Sequence, residues 1–256
     1  MSRWLPERLT LHVAAADSLA ALDVGERLRQ RALELAVAGF EAQLDALKPA
    51  RHARVSCVFA GELVRYAIVP WNPGARGQAR RQAFAQHCFK ETYGDVASTW
   101  AVSQDAPRYG QATLACAVDS GLLDRLAAML RGRGLVPSQL QPSLMQAVNA
   151  ARRATRAATF WVVVQEPRAM TLLLIVDRQP VLVKVLTCRE HDLGVVLARE
   201  WLALGLETAR CPVVLASPDM PVPHQLAGWT LRVLGGQGSK AATRQGIGPE
   251  HALRTV

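Results

Sequence analysis

The residues of this chain that could do chemistry with a nucleotide stand at a turn between two apolar runs. The turn Glu166-Pro167-Arg168-Ala169 joins runs 160–165 and 170–176, which have the composition of β-strands. A turn that binds phosphate usually contains glycine, which lets backbone amides approach the phosphate, and a nearby carboxylate can hold the metal. Here Pro167 removes one amide, and the turn has no glycine. The sequence therefore predicts a hairpin of phosphate-binding type whose phosphate site is degenerate.

A second candidate is the pair His87 and Cys88, which could be a base and its nucleophile. Both residues fall within a helix predicted over residues 75–92. Adjacent helical residues point to different faces, so the hydrogen bond that this chemistry needs cannot form between them. We predict instead that Cys88 packs in the core and that His87 lies nearer the surface.

Two further groups have both a chemical and a structural interpretation. Glu190, His191 and Asp192 could form a metal site or an acid/base cluster. They directly precede an apolar helical run, however, and we favour their assignment to its negatively biased first turn. The pair Gly235-Gly236 could be the remnant of a glycine turn on the adenine side of a nucleotide, or simply the start of a polar tail. Both interpretations of the glycine pair stay open.

The net charge raises the question of nucleic-acid binding. The 256 residues carry a formal charge of +9, which would suit a nucleic acid or an anionic membrane surface as partner. Only four of the 30 basic residues are lysine, and this arginine excess is typical of a GC-rich bacterial genome. No nucleic-acid recognition motif accompanies the charge. We therefore expect a globular protein that does not bind nucleic acid, and a nucleic-acid-binding module is kept as an alternative.

The composition also bears on the compartment. The N-terminal residues lack the apolar core of a signal peptide, and no apolar run approaches the roughly 20 residues that cross a bilayer. The five cysteines form no Cys-x-x-Cys pair. They are Cys57, Cys88, Cys116, Cys188 and Cys211. We expect a soluble cytoplasmic protein with reduced cysteines, most of them in the core.

Hydrophobic periodicity and breakers predict alternating strands and helices. Strands are expected at 9–13, 18–22, 54–59, 63–69, 99–103, 112–118, 135–140, 160–165, 170–176, 181–187, 213–216 and 229–234, and helices at 27–47, 75–92, 122–131, 144–153 and 191–204. Asp119 or Ser120 is placed to cap the third helix. Trp201 and Trp229 are expected in the core of the second half, whereas Trp4 could cover an exposed edge.

The basic stretch 152–156 is the best candidate domain boundary, because the hairpin of the second half begins directly after it. From residue 235 onward, glycine, polar and basic residues predominate without periodicity. We predict a mobile tail over residues 236–256.

Two groups of segments follow the order of a known family. Residues 58–70, VFAGELVRYAIVP, match the succession apolar strand, Pro-Gly/Ala-x, apolar strand, Leu-Pro. Residues 112–118 lead into Asp-Ser-Gly-Leu-Leu-Asp and are followed by Gly134-Leu135-Val136-Pro137 and Gln141-Pro142. In this order and spacing, over about residues 50–190, the chain resembles the PilM and GspL cytoplasmic-domain family.

The resemblance implies an α/β, actin-like (ribonuclease H-like) fold of two lobes with a small inserted α+β subdomain. On this basis we expect residues 1–155 to form the first lobe, with the insertion at about 70–135. Residues 156–235 would form the second lobe. A strand meander opens each half of actin-like nucleotide-binding proteins, and the first turn of the meander usually reads Asp-x-Gly-x-x-Thr. The hairpin at residue 160 agrees with such a meander.

The resemblance also implies a function: a cytoplasmic scaffold of a type IV pilus or type II secretion machine, at the inner face of the inner membrane. PilM-like proteins bind the short cytoplasmic tail of an inner-membrane partner, PilN, in a groove beside the inserted subdomain. GspL proteins continue into a transmembrane helix, which this sequence lacks, so PilM is the nearer relative. Other assembly components are further expected partners, and a homodimer is possible.

Some PilM proteins bind ATP through an N-terminal Asp-x-Gly-Ser turn. This chain has His12 near the expected aspartate and Ala14 in place of glycine. With Glu166 and Pro167 in the other turn, both phosphate turns are degenerate. We therefore expect no catalytic residue, no cofactor and no metal.

A basic helix supplies candidate residues for partner binding. Arg76, Arg80, Arg81 and Lys90 follow Trp71 and are interleaved with Phe84 and Phe89. Trp71, Arg76, Arg80, Arg81 and Phe84 are our candidates for contact with an acidic partner segment or lipid headgroups. The competing interpretation is a solvated helix face over a local core.

The enzymatic alternative is an ATPase or sugar-kinase-like enzyme of the same fold. It would need Asp17, Asp177 or Glu166 to hold magnesium in an unusual arrangement. A phosphate cradle depends on several unhindered amides, and neither turn offers a glycine, so we prefer the scaffold.

Overall fold

A computed structural model describes residues 7–14, 26–105, 108–187, 193–205, 211–216, 226, 228–234 and 243–244. Within these residues the helices are α1 (Glu26–Leu47), α2 (Gln78–Tyr93), α3 (Ser120–Gly132), α4 (Ser143–Ala154) and α5 (Leu193–Ala203). The strands are β1 (Arg8–Val13), β2 (Arg54–Phe59), β3 (Arg65–Val69), β4 (Trp100–Gln104), β5 (Thr113–Asp119), β6 (Val136–Pro142), β7 (Phe160–Gln165), β8 (Ala169–Val176), β9 (Gln179–Thr187), β10 (Val213–Ala216), β11 (Leu231–Val233) and β12 (Thr243–Arg244). Short 3-10 helices lie at Gly61–Leu63 and Asp95–Thr99. In this part of the chain, no helix is long and apolar enough to cross a membrane.

The first sheet has the strand order β12-β1-β2-β6. Strands β1, β2 and β6 run parallel, and β12 pairs antiparallel with β1. Helices α1 and α3 pack against each other and bury a common apolar face with this sheet, which includes Phe40, Leu44, Leu122 and Leu126. These residues recur at intervals of three or four, the spacing that places side chains on one side of a helix.

The second sheet has the order β11-β10-β7-β8-β9. Its centre is the predicted meander: β7, β8 and β9 run antiparallel, and β10 and β11 continue the sheet in parallel with β7. Strand β8 is buried on both faces from Ala169 to Ile175. Helix α5 covers one face, where Trp201 and Trp229 meet at 5.7 Å in an edge-to-face pair, which confirms that both tryptophans are core residues.

A third, antiparallel sheet has the order β3-β5-β4 and packs on α2 through its own core, around Phe89 and Val69. Its strands and α2 span residues 65–119, between β2 and α3 of the first sheet. This separate sheet explains why residues 54–59 and 63–69, although close in sequence, do not pair with each other. The division of the chain into lobes and an inserted subdomain stays a prediction.

Most predicted elements are present. The Asp119 side chain accepts a hydrogen bond of 3.0 Å from the Leu122 N–H and caps α3, as expected. The strand predicted at 18–22 and Trp4 lie outside the described residues. Two residues of the segment predicted as a mobile tail, Thr243 and Arg244, form β12; the rest of that segment is not described.

The cysteines that the structure describes are free thiols, either buried or partly buried. Cys57, Cys88, Cys116 and Cys211 are free, and burial raises the pKa of each thiol, to about 12 for Cys57 and to about 11 for Cys116 and Cys211. Cys88 packs against the core of the third sheet, while His87 is exposed. The pair is therefore not a nucleophile and base, as predicted. Cys188 lies outside the described residues.

One buried carboxylate is held by two cations. Glu200 of α5 has a side chain only 5% exposed and forms ion pairs with Lys184 of β9 and Arg199. Burial would raise the Glu200 pKa, but the hydrogen bonds and charges of Lys184 and Arg199 outweigh burial and hold the pKa below its ordinary value. The carboxylate thus ties α5 to the edge strand of the second sheet.

This arrangement predicts a pH dependence of stability. Because the folded-state pKa of Glu200 is below the unfolded value, its contribution is present at neutral pH and is lost as the pH falls through the acidic range, from roughly pH 5 to pH 3. Glu200→Gln should flatten the fall of the unfolding free energy over that range, measured by urea denaturation at several pH values. Glu34→Gln, which removes an exposed carboxylate of α1, is the control. Identical pH profiles for wild type and Glu200→Gln would contradict the assignment.

Candidate functional site

The turn predicted as a degenerate phosphate site lies where the first and second sheets meet. Glu166 follows β7 and is 8% exposed. Its Oε2 accepts a hydrogen bond of 2.7 Å from the backbone N–H of Gly61, which begins the 3-10 helix after β2. A hydrogen bond to a charged group contributes roughly 1.5–3 kcal/mol. A carboxylate of the second sheet therefore binds an amide at the end of a first-sheet strand.

Gly61 also packs directly on Thr171 of β8. A Cβ atom at Gly61 would lie 2.4 Å from Thr171 Oγ1 and 3.1 Å from Glu166 Oε2, and Thr171 is fully buried. The 3-10 backbone thus fills the space in front of the two side chains. A phosphate could approach them only if this backbone moved away.

Tyr66 of β3 completes this polar cluster. Burial, followed by the neighbouring Cys116 and Glu166, raises the Tyr66 pKa well above its ordinary value, so the phenol is neutral. Within the described part of the chain, neither the Tyr66 hydroxyl nor that of Thr171 has a hydrogen-bond partner. The cluster therefore has one charged hydrogen bond at its centre and two buried hydroxyls beside it.

Sequence reasoning missed Thr171, although a signal for it was present. In the pattern Asp-x-Gly-x-x-Thr, Glu166 takes the aspartate position, Arg168 the glycine position and Thr171 the threonine position. The structure brings the first and third of these together at Gly61. At the glycine position Arg168 does not have positive φ, and the N–H of Glu166 donates to the Ala169 carbonyl within the turn. The turn therefore has a carboxylate and a threonine at the two end positions of the pattern, but no glycine at the position between them.

The structure separates the carboxylates that the enzymatic alternative would need. Glu166 and Asp177 flank the eight residues of β8 at opposite ends, roughly 25 Å apart at about 3.3 Å per residue. Asp17 and the cluster 190–192 lie outside the described residues, as do Gly235 and Gly236. Among the residues described, no group of three or more His, Cys, Asp or Glu side chains could hold a metal.

His12 lies near the end of β1, and its carbonyl accepts a hydrogen bond of 2.8 Å from Gln43 Nε2 of α1. Ala14 is exposed directly beyond the strand. The backbone at His12 is thus bonded to a helix of the first sheet.

At the other end of β8 lies a groove of about 750 Å³, which we call the arginine groove. Three parts of the fold form its walls: the start of β5 with residues that precede it, helix α4 with the residues after it, and strands β7 to β9. The lining residues are Asp105, Arg108, Gln111, Ala112, Thr113, Leu114, Met145, Val148, Arg152, Thr155, Arg156, Ala157, Phe160, Leu173, Ile175, Arg178 and Pro180.

The groove has an apolar floor and a cationic rim. Leu114, Val148, Phe160, Leu173 and Ile175 are buried and belong to the main core. Four arginines and a single carboxylate, Asp105, are the charged residues of the lining, and all five are exposed. An elongated ligand with apolar and anionic groups would match this surface.

The turn that carries Arg178 is strained. Val176 pairs with Gln179, so Asp177 and Arg178 form a two-residue hairpin loop, and their φ values are 49° and 66°. Such a loop favours Asn-Gly, because an L-residue in the left-handed region costs roughly 1–2 kcal/mol. Two hydrogen bonds fix the loop: Arg178 N–H donates to the Ala158 carbonyl at 2.8 Å, and Asp177 N–H to Thr159 Oγ1 at 3.3 Å.

The five predicted partner-binding residues lie in the loop after β3 and in α2, the helix that packs on the third sheet. Trp71, Arg81 and Phe84 come together around a small cleft that shares Thr113 with the arginine groove. The ring of Trp71 also contacts that of Tyr109, which is 89% exposed, with centroids 5.2 Å apart and planes tilted by 58°. Arg76 and Arg80 are exposed and do not line this cleft. Sequence reasoning missed the arginines of α4 and of the β8–β9 turn, because they converge only in the folded chain.

Known proteins of similar structure identify the fold. The sequence matches no protein-family model and no curated protein. The cytoplasmic domain of EpsL, an inner-membrane component of the type II secretion system of Vibrio cholerae, is 14% identical with a TM-score of 0.53, over 91% of this chain and 88% of that chain. A PilM-PilN type IV pilus biogenesis complex is 16% identical with a TM-score of 0.55, over 89% of this chain and 88% of that chain.

A Bacteroides thetaiotaomicron protein with an actin-like ATPase fold and unknown function is 10% identical with a TM-score of 0.55, over 91% of this chain and 92% of that chain. Together these similarities show that the chain has an actin-like fold. The predicted fold class is confirmed.

The contact between Gly61 and Thr171 gives a direct test of the closed turn. Gly61→Ala should destabilise the protein by roughly 1–3 kcal/mol, because the new Cβ would overlap Thr171 Oγ1. Thr171→Ala removes that oxygen and should restore part of the loss in the double variant, as measured by urea denaturation. Gly132→Ala, where a Cβ would meet nothing within 4 Å, is the matched control. Equal stability of Gly61→Ala and wild type would show that the 3-10 helix is not pressed against β8.

Proposed function

We propose that this protein is a non-catalytic scaffold of a type IV pilus or type II secretion assembly, and that it binds the cytoplasmic tail of an inner-membrane partner. The observation that carries the proposal is the contrast between two ends of one strand. At the Glu166 end of β8, the backbone at Gly61 fills the space in front of the Glu166 and Thr171 side chains. At the Arg178 end it leaves an open groove with an apolar floor.

The closed turn supports the absence of catalysis. A phosphate cradle needs several backbone amides that point at the ligand. Here the Gly61 amide is used by Glu166, the Glu166 amide is used by Ala169, and Pro167 has none. These three positions therefore have no amide left for a phosphate, which supports a turn that does not bind one.

The arginine groove supports the partner. It lies beside the third sheet, where the family resemblance expects a partner tail, and the PilM-PilN complex is among the structures of similar fold. Its walls come from three parts of the fold, so a bound segment would touch all of them. Trp71 and Tyr109 would extend the contact surface past its edge. The partner in this proposal is PilN-like, and the protein would work at the inner face of the inner membrane.

The EpsL and PilM-PilN structures match with nearly equal TM-scores, so the proposal is for the class of scaffold that both represent. The preference for a PilM-like over a GspL-like protein stays a prediction, as do homodimer formation and contacts with other assembly components.

Nucleotide binding separates this proposal from the enzymatic alternative. Isothermal titration of the protein with ATP and magnesium, up to millimolar nucleotide, should give no saturable heat, because the amides at the turn are already bonded. A saturable isotherm in the micromolar range would restore the ATPase or kinase interpretation. A known actin-like ATPase, titrated in the same buffer, is the positive control.

Crosslinking in the native cell tests the partner. A photo-crosslinking amino acid at Gln111, which lines the groove, should capture an inner-membrane protein through its cytoplasmic tail, identified by mass spectrometry of the crosslinked peptides. The same amino acid at Glu34, on the exposed face of α1, is the matched control. Capture of a soluble metabolic enzyme or of nucleic acid at Gln111, without a membrane protein, would refute the scaffold role.

A further inference from the structure

The arginine groove has a charge pattern that its structural role does not explain. Arg152, at the end of α4, interacts favourably with the helix dipole, and this accounts for it without any ligand. No helix dipole accounts for Arg178, because Arg178 lies in a two-residue turn. Arg156 lies just beyond α4, on the segment to which that turn is bonded. In the described part of the chain, no carboxylate lies within ion-pair distance of Arg152, Arg156 or Arg178.

The strain of the β8–β9 turn is a second indication that Arg178 has a role in binding a ligand. Position 178 has a φ of 66°, where glycine would be favoured, and the chain has arginine there. Strained positions are retained where the surrounding structure fixes them, and they cluster at sites of function. Here the hydrogen bonds to Ala158 and Thr159 fix the turn against the segment that carries Arg156. Two guanidinium groups are thus presented from one rigid corner of the groove.

We propose that the arginine groove selects an extended peptide segment in which carboxylates flank apolar side chains, and that Arg156 and Arg178 are the residues that determine this specificity. Guanidinium groups bind carboxylates through paired N–H donors. The apolar side chains would pack on the apolar part of the lining, where Met145, Ala157 and Pro180 are partly exposed. This inference rests on the proposed function and adds the chemical nature of the partner segment.

Fluorescence polarisation with labelled peptides tests the proposal. The probe is the peptide Glu-Leu-Asp-Phe-Leu-Glu, acetylated at its N-terminus and amidated at its C-terminus so that only side chains carry charge. The comparison peptides, with the same blocked termini, are its neutral counterpart, Gln-Leu-Asn-Phe-Leu-Gln, and its basic counterpart, Lys-Leu-Lys-Phe-Leu-Lys. The acidic peptide should bind about tenfold more tightly than the neutral one for each carboxylate that meets an arginine, and the basic peptide should not bind. Affinity for the acidic peptide should fall as salt is added.

Two variants and one control test whether Arg156 and Arg178 cause the preference for the acidic peptide. Arg156→Ala and Arg178→Gly should each weaken binding of the acidic peptide about tenfold and leave the affinity for the neutral peptide unchanged. Arg178→Gly also relieves the strain at its turn, so its Tm should equal or exceed that of wild type, and lost binding cannot then be ascribed to unfolding. Arg153→Ala is the matched control, since Arg153 is exposed in the last turn of α4 but does not line the groove.

The outcomes distinguish this inference from the function on which it rests. Equal binding of the acidic and neutral peptides overturns the inference, and so does an acidic peptide whose binding ignores both variants. The scaffold role would survive either result if the crosslink at Gln111 captures a membrane protein. Binding of a single-stranded oligonucleotide, with loss in the arginine variants and no binding of the acidic peptide, would also overturn it.

Discussion

The hydrogen bond from the Gly61 amide to the Glu166 carboxylate is the interaction on which the rest of the arrangement depends. It is buried, it involves a charged group, and it joins the end of β2 in the first sheet to the β7–β8 turn in the second. Strand β3 then runs beside β9, so the third sheet is placed against the second sheet as well. The relative position of the sheets is therefore held by this hydrogen bond together with the apolar core that the first and second sheets share.

The turns at the two ends of strand β8 differ in structure. The Glu166 turn is tight, has no residue with positive φ and is filled by the 3-10 backbone at Gly61. The Asp177-Arg178 turn has two residues with positive φ and faces an open groove.

Much of the fold could be predicted from the sequence, because apolar periodicity and breakers mark strands and helices locally. The meander from β7 to β9, the cap at Asp119 and the core position of Trp201 follow from such local signals. The position of β3 could not be predicted, since residues 54–59 and 63–69 are consecutive in sequence but belong to different sheets. Nothing local distinguishes a hairpin from a strand that leaves its sheet.

The site was predictable in one respect only. The absence of glycine from residues 166–169 is visible in the sequence, and it predicts that the turn lacks a phosphate-binding geometry. The occupant of the turn, Gly61, is 105 residues away, and no local pattern links the two. The arginine groove was not predictable for the same reason, because Arg108, Arg152 and Arg178 come from separate elements. The charges of the basic helix, in contrast, are close together in sequence and can be recognised there.

The central claim is that the chain itself occupies the phosphate position of an actin-like fold. Nuclear magnetic resonance of the Gly61 amide tests it most directly, by following its hydrogen exchange and chemical shift with and without magnesium and ATP. The account predicts an amide that exchanges as slowly as the most protected core strands and whose shift does not move with nucleotide. A Gly61 amide that exchanges freely, or that shifts saturably as ATP is added, would contradict it.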